Sequence, residues 1–99
     1  MVYRDRQGTE ITPDEWAALW NDMTYRAVAS SAPSHGVLVR TVWEGVDDAT
    51  GVGCMFATGV SRDGGSTWST ECEDARTEGD ALVQHGEVET MWGSGRSSA

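Results

Sequence analysis

The run GVLVRTVWEG, residues 36–45, constrains the fold more than any other stretch of this chain. In an extended backbone, Val37, Val39, Thr41 and Trp43 fall on one face, and Leu38, Val42 and Glu44 on the other. Both faces are partly apolar, so this strand belongs at the centre of a sheet. Upstream, YRAVASS (25–31) is a second β-rich run, and the intervening APSH with Gly36 reads as the turn of an antiparallel hairpin. Downstream, CMFATGVS (54–61) and STWSTEC (66–72) read as two further strands, with DDATGVG (47–53) a loop. The N-terminal VYRDRQGTEI reads as two short extended pieces around the Gln7-Gly8 turn.

Two helices complete the pattern. In T-P-D-E, Thr12 is placed to cap a helix, Pro13 fits its first position, and Glu15 completes a capping box. Trp16, Leu19, Trp20 and Met23 follow at the spacing of one buried face, predicting a helix over 13–23. The second helix, over 78–92, is capped by Thr77 with Asp80 reciprocating, and carries its apolar stripe on Ala81, His85, Val88 and Trp92. Gly79 and Gly86 weaken it by about 1 kcal/mol each relative to alanine. The expectation is a small α+β domain over 1–94, with three to four antiparallel strands under two helices and a flexible tail at 95–99. A chain of 99 residues buries about 60–65% of its unfolded surface, enough for one modest core.

Charge restricts function more than it suggests one. Sixteen acidic residues stand against seven arginines and no lysine, a net charge of −9. Nonspecific binding to nucleic acid depends on basic groups that neutralise phosphates, so it is excluded. The acidity fits a solvated surface or a face that docks on a basic partner. No apolar stretch is long enough for a membrane helix, and no apolar leader follows Met1, so a cytoplasmic location is expected.

The sharpest motif is SRDGGSTW, residues 61–68, which reads S-x-D-x-G-x-T-W. It resembles the Asp-box hairpin of sialidases, where the box lies away from the catalytic site. Asp63 is suited to accept backbone N–H groups across a tight turn, Gly64 and Gly65 to supply positive φ, and Trp68 to fold back over the hairpin. One copy in a chain too short for a propeller points to a structural turn, not a glycosidase. If the loop is symmetric about Asp63, Cys54 faces Cys72; a half-residue shift makes them diagonal neighbours. A disulfide between them would be atypical of a cytoplasmic protein, and buried thiols are expected.

Other constellations are weak. Cys54, Cys72, His35 and His85 match no zinc spacing, and the acidic pairs Asp47-Asp48 and Glu71/Glu73-Asp74 match no calcium loop, so neither metal nor cofactor is expected. Glu73 and His85, with Arg62 or Arg76 steadying an anion, would make a nuclease-like acid–base set. A hydrogen-bonded core histidine is the simpler reading. Trp16, Trp20, Trp43 and Trp68 are expected in the core, and Trp92 as an exposed anchor.

Three longer segments carry a resemblance: V-R-T-V-W-E-G-V-D (39–47), F-A-T-G-V (56–60) and E-D-A-R-T-E-G-D-A-L-V-Q-H (73–85). With D-R-x-G, E-W-A-A-L-W and Y-R-A-V before them, they resemble small proteins of actinobacteria and their phages, over about residues 3–85. The chain departs from that pattern at Glu44, usually apolar, at Ala57, usually Glu, and at Ala75, usually aromatic. Any function of the acidic group at 57 is therefore lost here. The resemblance implies an α+β accessory protein of phage type. The leading expectation is a non-enzymatic protein that binds a host or defence protein, by way of Asp47, Asp48, Glu71, Glu73, Asp74 and Trp92. A virion or assembly component that self-associates, and a small hydrolase using His85, are the alternatives.

Overall fold

Alternating burial along the central strand organises the molecule: Val39, Thr41 and Trp43 are each fully buried, while Leu38, Arg40 and Val42 between them are half-exposed. The computed structural model describes residues 2–47, 54–73 and 75–97, the side chains of 93–97 excepted. Along the chain run β1 (Val2–Arg4), β2 (Glu10–Ile11), α1 (Pro13–Trp20), α2 (Met23–Arg26), β3 (Ala27–Ser34) and β4 (Val37–Trp43). After them come β5 (Val46–Asp47), β6 (Phe56–Ser61), β7 (Ser69–Cys72) and α3 (Glu78–Ser97). The fold is α+β, as expected. Its strands make two antiparallel sheets: a four-stranded one in the order β3-β4-β6-β7, and a three-stranded one in the order β2-β1-β5.

The central place of 36–45 holds, since β4 pairs with β3 on one edge and β6 on the other. The Gln7-Gly8 turn also holds, with Tyr3 opposite Ile11. The small sheet is completed by β5, whose Asp47 falls in the 47–53 stretch expected as loop. Gly45 joins the two sheets. It sits at φ +74°, and a Cβ there would lie 2.2 Å from the Trp43 ring and 2.9 Å from the Arg4 carbonyl. Only glycine lets β4 turn so closely past its own tryptophan into β5.

The Thr12 capping box forms as the sequence predicts, and Thr77 supplies its own half of the second cap. Thr12 Oγ1 accepts from the Glu15 N–H at 3.1 Å, and Glu15 Oε1 accepts from the Thr12 N–H at 3.0 Å. Thr77 Oγ1 accepts from the Asp80 N–H at 3.1 Å. The first helix, however, is shorter than expected. Asn21 donates its side-chain amide to the Ala17 carbonyl, and Asp22 caps a new turn through the Thr24 and Tyr25 N–H groups. These local bonds compete with helix propagation, so Tyr25 and Arg26 belong to α2 and β3 starts at Ala27. Trp16, Leu19 and Trp20 are half-buried and Met23 is 55% exposed, so this helix has no fully buried face. At the other end α3 continues to Ser97, through part of the expected tail.

Helix α3 packs across β3, β4 and β6, and the core between them is layered. One apolar cluster contains Trp43, Met55, Phe56, Ala75 and Ala81; the other contains Val39, Val60 and Val88. Between them lie Thr41, Thr58 and His85, all buried. Each of β4, β6 and α3 thus contributes apolar, polar and apolar residues in turn. Trp92 packs against the valine cluster, with Arg62 over its ring at 5.3 Å, and is half-buried where an exposed anchor was expected. Trp68, expected in the core, is 37% exposed on the far side of the sheet, under Arg40 at 4.3 Å.

Candidate functional site

His85 is the best-defined polar centre. It lies on the inner stripe of α3, one turn after Ala81, which aims its ring between β4 and β6. Its Nδ1 is 2.9 Å from Thr41 Oγ1 and its Nε2 2.9 Å from Ser31 Oγ, while Thr41 Oγ1 is 2.6 Å from Thr58 Oγ1. Burial lowers the pKa of His85 below its ordinary 6.5, and Glu89, with an oxygen 3.9 Å from Nε2, opposes that shift. A neutral ring holding a hydroxyl on each nitrogen suits a structural bridge. Of the nuclease-like set, Glu73 and Arg76 lie exposed on the connection from β7 to α3, and Arg62 stacks on Trp92. The carboxylate beside His85 is Glu89. Residue types alone pointed to Glu73; the i,i+4 spacing on α3 is the signal that marks Glu89.

The Asp-box segment forms the tight turn its pattern predicts. Asp63 Oδ1 accepts from the Thr67 N–H at 2.9 Å and from Ser61 Oγ at 2.7 Å, and Oδ2 accepts from Thr67 Oγ1 at 2.6 Å. These bonds, the two from Thr67 first, hold its carboxyl well below the usual carboxylate range. Gly65 donates its N–H to Ser61 Oγ, and Trp68 donates its indole N–H to the Gly65 carbonyl. The hairpin is off-centre from Asp63. Thr58 faces Cys72 and Val60 faces Ser69, with a register shift between Thr58 and Gly59. Cys54 therefore lies well along the strand from Cys72, beside β5, where its carbonyl accepts from Val46. Neither cysteine is in a disulfide. Burial pushes the Cys54 thiol up to about 12, which makes it a poor nucleophile.

A pocket of about 320 Å³ opens where the β1–β2 turn meets the start of α3, lined by Arg6, Gln7, Gly8, Arg76, Thr77 and Glu78. Both of its guanidinium groups are engaged: Arg6 Nε donates to Glu78 at 2.6 Å, and Arg76 pairs with Asp47. Asp47 also receives Arg4 Nε at 2.7 Å, and its side chain is 18% exposed. It thus ties the small sheet to the start of α3, although the sequence placed it among the partner-binding carboxylates. Glu71 and Glu73 are exposed. Asp48 and Asp74 lie outside the described residues. Among the described residues no group of three or more His, Cys, Asp or Glu side chains is placed to hold a metal ion, and no helix is long and apolar enough to cross a membrane.

The fate of the arginines is what sequence reading could not reach. Arg4, Arg6 and Arg76 sit on carboxylates. Arg26, Arg40 and Arg62 stack over Trp20, Trp68 and Trp92, at 3.7, 4.3 and 5.3 Å. Every arginine whose side chain is described is therefore occupied within the fold, while Glu10, Asp14, Glu71, Glu73, Asp80 and Glu87 are exposed. No family model, curated protein or solved structure matches the chain.

Proposed function

We propose that this is a small acidic binding protein of the phage accessory type, which acts by docking on a basic surface of a host or defence protein. The observation that carries this reading is the internal consumption of the cations. Arginines held on carboxylates and indoles are less available to a partner, so the surface acts chiefly through exposed carboxylates. Such a field steers association with a positively charged partner and makes the association rate depend on salt. The closed hydroxyl bridge around His85 and the raised thiol of Cys54 favour binding over catalysis.

The test is capture of partners on tagged protein from nuclease-treated actinobacterial lysate, eluted by a salt gradient. One host protein in near-stoichiometric yield is expected. Its retention should weaken, and become less salt-sensitive, in the Glu71→Arg, Glu73→Arg double variant. Retention indifferent to both salt and charge reversal, or a folded protein that retains nothing, overturns the reading.

A further inference from the structure

Helix α3 has a second face that the core does not use. At 3.6 residues per turn, the stripe of Ala81, His85, Val88 and Trp92 faces the sheet. Val83 then points the opposite way, into solvent, with Leu82 exposed on the flank and Gly86 between them on the wheel. Leu82 is 46% and Val83 63% exposed, and Met91, one turn beyond Glu87, is 56% exposed. Five large hydrophobic residues are exposed among those described, and α3 carries three of them. Of the other two, Trp68 has Arg40 across its ring. A Cβ placed on Gly86 would meet nothing within 4 Å, so the outer surface of the helix is open there.

Carboxylates border this patch on both sides. The wheel places the exposed Asp80 and Glu87 along one flank, with Met91 beyond them, and Glu89 along the other, next to Glu78, which is already paired with Arg6. No arginine or lysine falls between Glu78 and Trp92. An apolar strip between two acidic rails is the complement of a helix with an apolar stripe between basic residues. A second copy of this chain is a poor occupant, because two α3 helices would bring acidic rails together. Resting on the protein-binding reading above, we infer that the outer face of α3 is its docking surface, and that the partner segment is a basic amphipathic helix. Leu82 and Val83 are the anchors, Gly86 allows close approach, and the rails set orientation.

The test is titration of the whole protein with two synthetic peptides of equal charge. One has lysines flanking a leucine stripe; the other has serine in place of each leucine. Binding is followed by calorimetry. The leucine peptide should bind, the serine peptide should bind on the order of tenfold or more weaker, and Leu82→Asp with Val83→Asp should weaken the leucine peptide similarly. Glu87→Lys with Asp80→Lys should also weaken it. Circular dichroism and thermal midpoints establish that the variants stay folded, and Leu82→Ser with Val83→Ser serves if they do not. Equal binding of both peptides, or indifference to the α3 variants, overturns the inference, as does concentration-dependent dimerisation lost in Val83→Asp. A captured host protein sensitive to Glu71 and Glu73 but indifferent to Leu82 and Val83 leaves the protein-binding reading standing and removes α3 as its surface.

Discussion

The two ends of the core are built from the same three elements by different means. At the Trp43 end, large rings are held by directed bonds as well as by packing. Trp43 donates its indole N–H to the Arg4 carbonyl and Trp16 donates to the Glu44 carbonyl, each at 2.9 Å. Tyr25 meets Trp43 edge-on, with ring centroids 5.2 Å apart. Because both carbonyls lie in or beside the small sheet, this end fixes one sheet against the other. At the Val39 end, three valines pack without polar direction, and the buried indole N–H of Trp92 has no hydrogen-bond partner among the described residues. One end is specified by geometry and the other by apolar area. The first should therefore tolerate substitution less well.

Gly45→Ala attacks the specified end directly and should cause the largest loss, above about 4 kcal/mol in urea unfolding, because backbone and ring must both move. A midpoint near that of the parent would mean that Trp43 does not pass Gly45 so closely. His85→Ala cuts the polar layer between the ends and strands the hydroxyls of Ser31 and Thr41. We expect a loss of about 2–4 kcal/mol by the same measurement. Val88→Ala tests the apolar end, where area alone is removed, and should cost about 1.5–3 kcal/mol. If it exceeds His85→Ala, the contrast between directed and undirected packing fails.

Acid sharpens the comparison further. Burial lowers the folded pKa of His85, so the unfolded chain binds the proton at higher pH. Its contribution to stability is therefore present above about pH 6.5 and is lost as pH falls below that value. Thermal midpoints between about pH 7.5 and about pH 5.5 should fall in the parent and much less in His85→Gln. Asp63 titrates far lower, since its depressed carboxyl holds the turn until strongly acid pH. Asp63→Ala should lower the midpoint at neutral pH by less than His85→Ala, and erase only the most acid part of the profile. A profile unchanged by either substitution would remove both groups from the linkage.

Much of this architecture was legible before folding was considered. Alternation over 36–45 placed the central strand, T-P-D-E placed a capped helix, and S-x-D-x-G-x-T-W placed its turn, because each signal lies within a few residues of backbone. The docking stripe was legible only as a remainder, the part of the α3 wheel left over by Ala81, His85, Val88 and Trp92. Tertiary structure decided the rest. It exchanged the expected roles of Trp68 and Trp92, since amphipathic rings take whichever site the global packing leaves open. The hairpin closes off-centre from Asp63, so Thr58 and not Cys54 faces Cys72, because a cross-strand neighbour depends on hairpin register, which a symmetric index count does not settle. Asp47 passed from surface carboxylate to a tie between Arg4 and Arg76, partners 43 and 29 residues away in sequence. Local pattern determined which elements form; long-range register and charge pairing determined which side chains are left for a partner.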